Sequence, residues 1–143
     1  MGRVIYFEDV DVGDELPGLS VEVTGEQVRR FASVMQLTDQ RFVSEEDARG
    51  EGLPGQIVPG TLSMAVLGRL VADWGDGVRL RHFGATFRQI VRPGTPLLAR
   101  GVITGKDTAA GGSFIECDLT LEDEEGERLV VGTARVSLPS RGQ

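Results

Sequence analysis

The stretch that decides the fold is LPGQIVPGTLSMAVLGRLVADW, residues 53–74. Its residues are apolar or small on nearly every side of a helix, and a helix that is hydrophobic all round lies inside its protein. Pro54-Gly55 and Pro59-Gly60 precede the apolar part, so the chain enters the helix through a tight turn. Because the first N–H groups of a helix have no intrahelical partner, a negatively charged group is favoured next to this helix start. The stretch therefore predicts a buried central helix. Any catalytic or binding site is expected at the N-terminus of that helix.

The residues before the central helix predict one strand and one amphipathic helix. Alternating apolar residues indicate the strand over 19–23, and helical spacing indicates the helix over 25–35. Thr24 and Gln27 have the spacing of a capping box, which starts a helix. The next residues, 36–52, are polar and contain a short helix. This is the segment in which loop chemistry is expected.

The residues after the central helix predict a sheet. Period-two alternation indicates four strands, over residues 78–90, 95–105, 113–121 and 128–138. The tail PSRGQ, residues 139–143, is expected to be disordered. A strand, a helix, a buried helix and then antiparallel strands is an α+β order. We expect one domain over residues 1–143, with the central helix covering the apolar face of the sheet.

Composition and charge exclude several classes of protein. The formal charge is −7 and the basic residues are scattered, which disfavours a nucleic-acid partner. One cysteine, Cys117, and one histidine, His82, cannot form a metal cluster. The alternation predicts that Cys117 is buried and inert, whereas His82 is expected on the surface or in a cross-strand pair. With no secretory signal, and with its longest apolar run interrupted by Arg69, the chain is expected to be cytoplasmic and outside the membrane.

Four segments carry a resemblance to a known family. They are YFEDVDVGDELP at residues 6–17, FASVMQLTD at 31–39, DARGEGLPGQIVPGTLSMAVLGRL at 47–70 and FRQIVRPGTPLLARGVIT at 87–104. The most specific part is A-R-x-x-G-L-P-x-x-I-V-x-G at residues 48–60, which is followed by a small-rich apolar helix. In these segments the chain resembles the MaoC-like hot-dog-fold proteins, the family that contains the (R)-specific enoyl-CoA hydratases.

The resemblance implies a curved antiparallel sheet wrapped around a long central helix, usually in a dimer with acyl-CoA thioester sites near the subunit interface. In the hydratases an Asp and a His activate a water, and a backbone N–H at the start of the central helix polarises the thioester carbonyl. Gly60 matches the glycine that supplies this N–H; the alternative is a glycine required only by turn geometry. Arg41, Phe42, Pro59 and Thr61 are then expected to contact the substrate. CoA would enter as part of that substrate, and no separate cofactor is implied.

The chain departs from the hydratase motif D-x-N-P-x-H-x-D. Counting back from Ala48 without gaps places Leu37 at the position of the catalytic Asp and Phe42 at that of the His. Deleting two loop residues restores Asp39 to the Asp position but places Ser44 at the His position. A serine hydroxyl has no pKa near neutrality and is a poor general base. Asp39 is the remaining candidate catalytic carboxylate. The alternative, which the sequence supports equally well, is that Asp39 only caps nearby N–H groups of the loop.

Three functions remain open at this stage. The first is an acyl-CoA hydratase or dehydratase, a lyase of fatty acid metabolism, with Asp39 and Gly60 in a rearranged site. The second is a non-catalytic subunit that pairs with an active MaoC-like hydratase. As its partner chain, the resemblance implies either a second copy in a homodimer or another MaoC-like subunit in a heterodimer. The third is a thioesterase, which is weaker because such enzymes generally need a carboxylate near the thioester. The nearest acid on the central helix, Asp73, is at the far end.

Overall fold

The computed structural model describes residues 2–142 and has the α+β architecture predicted from the sequence. Three helices precede most of the sheet: α1 (Gly25–Val34), α2 (Glu45–Gly50) and α3 (Gly60–Ala72). The strands are β1 (Leu19–Glu22), β2 (Arg79–Phe87), β3 (Pro96–Ala109), β4 (Gly112–Glu122) and β5 (Arg128–Leu138). They form one antiparallel sheet in the order β1-β3-β4-β5-β2, which leaves β1 and β2 at its edges.

Local sequence signals fix the starts of the first two helices. The Thr24 hydroxyl accepts a hydrogen bond from the Gln27 N–H, and the Gln27 side chain accepts from the Thr24 N–H, which is the predicted capping box. The Ser44 hydroxyl likewise accepts from the Asp47 N–H at the start of α2. A short 3₁₀ turn, Gln40–Phe42, lies between the two helices. The polar loop therefore has a defined path toward α3.

The central helix is buried on one face only in the single chain. Its buried residues are Ser63, Leu67, Leu70 and Val71, which face the sheet. The opposite face is exposed and carries small side chains and one arginine, at Thr61, Ala65, Arg69 and Ala72. The composition of α3 predicts that it is buried on every side. Within one chain α3 is buried on one side only, because a single sheet covers a single side of the helix.

Alternating residues of the long strands form the core beneath α3. On β4 the inward residues Ile115, Cys117, Leu119 and Leu121 are all buried, as the alternation predicts. Burial raises the pKa of the Cys117 thiol to about 12, with smaller contributions from the neighbouring carboxylates Glu116 and Asp118. The thiol is therefore protonated at neutral pH, consistent with the predicted inert cysteine.

The β3–β4 connection is tighter than the sequence predicts. The predicted strands end at residue 105 and begin again at residue 113, but Thr108 pairs with Ser113 and Ala109 pairs with Gly112. Only two residues turn the chain, and Gly111 has a φ of 109°. A glycine at this position allows the two-residue hairpin turn that joins long twisted strands.

The sequence predicts disorder over residues 139–143, and the part of this tail that the structure describes contacts the N-terminal segment. The Phe7 N–H donates to the Pro139 carbonyl at 2.9 Å. Arg141 forms an ion pair with Asp9 at 2.6 Å. These contacts fasten the end of β5 to the N-terminal segment, a long-range pairing that local composition does not reveal. Gln143 lies outside the described residues.

Candidate functional site

The start of α3 presents backbone N–H groups. The Pro59 carbonyl accepts hydrogen bonds from the Leu62 and Ser63 N–H groups, at 3.0 and 3.2 Å. The N–H groups of Gly60 and Thr61 therefore precede the hydrogen-bond ladder of the helix. Among residues 2–142, no side chain caps this helix start. Free N–H groups carry the positive end of the helix dipole and are suited to hold an oxygen atom with negative charge.

The segment that leads into α3 is held by backbone hydrogen bonds on both sides. The Ile57 N–H donates to the Arg41 carbonyl at 3.1 Å, and the Val58 N–H donates to the Val91 carbonyl at 2.8 Å. The first bond brings the polar loop next to the entrance of α3. The loop and the helix start, which the sequence analysis singled out separately, therefore lie side by side.

Gln56, which is not among the predicted site residues, fixes this arrangement. The residue is only 3% exposed. Its side-chain amide donates to the Gly25 carbonyl at 3.0 Å and to the Phe42 carbonyl at 2.8 Å. Its backbone N–H donates to the Glu45 carboxylate, and its carbonyl accepts from the Arg92 guanidinium. The sequence does contain a signal for this role, because Gln56 is a polar residue inside a run of Gly, Pro and apolar residues. A buried amide in such a run needs hydrogen-bond partners.

The loop over residues 37–44 has an apolar side toward the core. Phe42 is half-buried and packs against the core cluster, and Leu37 is half-buried. Neither side chain can accept or donate a proton. Asp39 is exposed at the start of the 3₁₀ turn, and its side chain makes no capping hydrogen bond there. The carboxylate is therefore open to solvent, and its suggested role as a local cap is not seen.

Arg41 is already paired within the chain. Its guanidinium forms an ion pair with Glu51 at 2.9 Å, with both side chains partly exposed. Its Nε atom is buried and has no hydrogen-bond partner among the described residues. An exposed ion pair contributes little to stability, so a substrate anion can compete for Arg41. Contact between Arg41 and a substrate stays a prediction.

A second aromatic residue, Phe87, lies against Gly60. A Cβ atom placed on Gly60 would lie 2.8 Å from the tip of the Phe87 ring. The φ of Gly60 is not in the left-handed region, so turn geometry does not require glycine here, and the close approach of the Phe87 ring is what disfavours a side chain. Phe87 lies within the strand predicted over residues 78–90. Its contact with the helix start was not predicted, because it depends on how β2 crosses α3.

The remaining candidate residues lie apart from this group. His82 is exposed and pairs in register with Arg135 on β5, in agreement with the predicted surface histidine. Asp73 caps the C-terminal end of α3 and pairs with Arg69 at 3.2 Å. Since a helix rises about 1.5 Å per residue, that carboxylate is about 20 Å from Gly60.

A cavity lies on the outer face of the sheet. It has a volume of about 850 Å³, and Thr86, Asp118 and Thr133 are among the residues that line it. None of the predicted site residues lines it. Within residues 2–142 no group of three or more metal-ligating side chains is placed to hold an ion. No helix in the same range has the length and hydropathy needed to cross a bilayer.

Comparisons with known proteins agree with this architecture. The family model described as MaoC like domain matches residues 10–123. No curated protein sequence matches the chain.

Three solved structures show the likeness of fold. A MaoC-like dehydratase from Rhodospirillum rubrum is 21% identical, with a TM-score of 0.85 over 96% of this chain and 98% of that one. The R-hydratase PhaJ1 from Pseudomonas aeruginosa is 17% identical, with a TM-score of 0.84 over 96% and 88%. The HadBC complex, a 3R-hydroxyacyl-ACP dehydratase from Mycobacterium tuberculosis, is 22% identical, with a TM-score of 0.76 over 89% and 97%. The expected hot-dog fold is therefore confirmed.

Proposed function

Because the chain belongs to the MaoC-like dehydratase family, we propose that it binds an acyl-CoA thioester at the start of α3 without supplying the usual water-activating pair. The observation that carries this proposal is the pair of N–H groups at Gly60 and Thr61, which precede the helix ladder. The thioester carbonyl accepts from Gly60, with Pro59 and Thr61 beside it. CoA is part of the ligand, and no other cofactor is needed for binding.

The chemistry of this contact depends on how much charge the carbonyl oxygen gains. Water addition to a conjugated thioester builds negative charge on that oxygen, and one preorganised donor then contributes about 2.7–4 kcal/mol. A bound, unreacted carbonyl is neutral, and the same donor contributes about 0.5–1.5 kcal/mol. The loop residues Leu37 and Phe42 cannot move a proton. Binding is therefore the better-supported activity, and Asp39 is the carboxylate to test for any residual hydration.

A direct test compares two substitutions at Gly60. Gly60→Pro removes the N–H, and proline is well tolerated as the first residue of a helix. Gly60→Ala keeps the N–H but adds the same Cβ next to Phe87, so it is the matched control. Calorimetric titration with butyryl-CoA should show binding by the wild type. The proline variant should bind about 2-fold to 12-fold more weakly than the alanine variant. Equal affinities in the two variants, or no binding by the wild type, would refute the proposal.

The absence of hydration is tested with crotonyl-CoA. We expect the wild-type protein alone to show no turnover, measured as loss of the conjugated thioester absorbance. Turnover that disappears in Asp39→Ala would instead identify the protein as a hydratase with a rearranged site.

A second candidate function is a non-catalytic subunit that pairs with an active MaoC-like hydratase. Among residues 2–142, the edge strand β2 has a neighbouring strand, β5, on one side only. Large apolar side chains are exposed on it and on the segment that follows, Leu80 at 38%, Phe87 at 50% and Ile90 at 42%. An unpaired edge beside exposed apolar groups is typical of an interaction surface. HadBC, which has the same fold, is described as a complex.

The subunit hypothesis is tested by measuring the molecular mass of the protein in solution. The protein is measured by light scattering alone and after co-expression with a hydratase subunit that carries the D-x-N-P-x-H motif. A stable heteromer supports the hypothesis. A homodimer that persists in the presence of such a partner counts against it.

A further inference from the structure

Three arginines lie beside the segment that leads into α3, and they share two carboxylates. Glu45 pairs with both Arg49 and Arg92, at 3.2 and 3.6 Å, whereas Glu51 pairs with Arg41 alone, at 2.9 Å. Within residues 2–142 these arginines form no other ion pair. Three positive charges therefore meet two negative charges in these pairs. An arginine that its partners do not fully neutralise can still attract an anion.

Arg41 differs from the other two arginines in having a donor without a partner. The Nε of Arg92 donates to a backbone carbonyl, and an Nη of Arg49 donates to Glu45. The Nε of Arg41 is buried and has no hydrogen-bond partner among the described residues, while its Nη2 contacts one oxygen of Glu51. Nε and Nη2 form the edge of a guanidinium that can bind two oxygens of one phosphate at the same time. The carboxylate of Glu51 therefore uses this edge only in part.

The backbone of Arg41 is held close to the proposed thioester site. Its carbonyl accepts from the Ile57 N–H at 3.1 Å, and Ile57 precedes Gly60 by three residues, a span of at most about 11 Å. The pantetheine arm of CoA, which joins the thioester to the phosphates, has as many chain atoms as about four residues, so it spans up to about 14 Å. A CoA whose thioester lies at Gly60 can therefore bring a phosphate to Arg41.

On the premise of the proposed function, we propose that Arg41 binds a phosphate group of CoA and that Glu51 competes with this phosphate for Arg41. The Arg41 and Glu51 side chains are 42% and 40% exposed, so their ion pair is weak and opens readily. A phosphate accepts from both Nε and Nη2 and satisfies the donor that Glu51 leaves unpaired. The carboxylate lowers the affinity for CoA by the factor needed to open the pair, which is about 1.5-fold to 5-fold for an exposed pair.

The experiment measures the affinities of butyryl-CoA and of CoA without an acyl group by calorimetry. The proteins are the wild type, Glu51→Gln, Arg41→Gln and the variant that carries both changes. Glu15→Gln and Arg100→Gln are the matched controls, because Arg100 and Glu15 form a similarly exposed pair at 3.0 Å in the cavity on the outer face of the sheet. Each control changes the charge of the protein by the same amount as its counterpart. Light scattering and circular dichroism confirm that each variant keeps the mass and fold of the wild type.

We expect Glu51→Gln to bind both ligands about 1.5-fold to 5-fold more tightly than the wild type, and both controls to bind them as the wild type does. Arg41→Gln should bind both ligands at least about 5-fold more weakly, because a hydrogen bond to a charged group is lost. Adding Glu51→Gln to Arg41→Gln should then change nothing.

Three results would overturn the inference and leave the proposed function intact. They are equal gains in Glu51→Gln and Glu15→Gln, a gain that persists without Arg41, and a gain that is seen with butyryl-CoA but not with CoA. A wild type that binds butyryl-CoA no more tightly than CoA would instead refute the thioester contact at Gly60, and thus the proposed function. If the wild type binds neither ligand, both fail.

Discussion

Gln56 provides the sharpest test of how the site is held. Its side-chain amide donates two hydrogen bonds, to the carbonyls of Gly25 and Phe42, and the residue is almost fully buried. Gln56→Met keeps the length of the side chain and removes both donors. Each lost hydrogen bond costs about 0.5–1.5 kcal/mol, and each buried carbonyl left without a partner raises that cost. We expect Gln56→Met to lower the free energy of unfolding by about 2–4 kcal/mol.

The assay is urea unfolding at a fixed protein concentration, because association of chains would otherwise change the apparent stability. The matched control is Gln40→Met. Gln40 is exposed, and its amide nitrogen lies 3.5 Å from the Thr38 carbonyl oxygen, which makes a weak hydrogen bond. Its substitution should therefore change the free energy of unfolding by less than about 0.5 kcal/mol. Amide exchange at Ile57 and Val58 should become faster in Gln56→Met alone. A loss of less than about 1 kcal/mol, or equal losses in the two variants, would refute the account of Gln56 as the residue that fixes the helix start.

Three further predictions concern the rest of the fold. Gly132→Ala should destabilise the protein, since its Cβ would lie 2.7 Å from the Gly84 carbonyl oxygen; Gly84→Ala, whose Cβ meets nothing within 4 Å, should be neutral or slightly stabilising in the same thermal unfolding assay. Cys117 should resist iodoacetamide at pH 8 in the native protein and react fully in urea, because burial raises its thiol pKa to about 12; rapid native labelling would contradict this. The hydrogen bond from Arg141 lowers the pKa of Asp9 below its ordinary value of 3.8, so its contribution is complete above the unfolded-state pKa and is lost as the pH falls through the folded-state pKa. Arg141→Ala should therefore lower the unfolding midpoint at pH 7, and the difference from the wild type should shrink as the pH falls below 3.8, the ordinary pKa of Asp9. A difference that stays constant as Asp9 becomes protonated would be inconsistent with this ion pair.

The structure locates the predicted site residues, and their roles stay predictions. The sequence placed Gly60 at the start of the central helix, and the structure has it there as the first residue of α3. The sequence also points to Phe42 and Asp39. Phe42 is half-buried and Asp39 is exposed, and their roles stay predictions. Gln56 and Phe87 were missed. Both act through contacts between segments that are far apart in the chain, and no local pattern encodes such contacts.

The sequence by itself determined the elements of this protein. Thr24 and Gln27 set the start of α1, the small-rich apolar run set α3, and alternation set the strands, because capping and periodic burial are properties of neighbouring residues. The tertiary structure decided what faces the helix start. It placed the Phe87 ring on Gly60, since only the packing of the sheet against α3 brings together residues separated by a whole helix and strand.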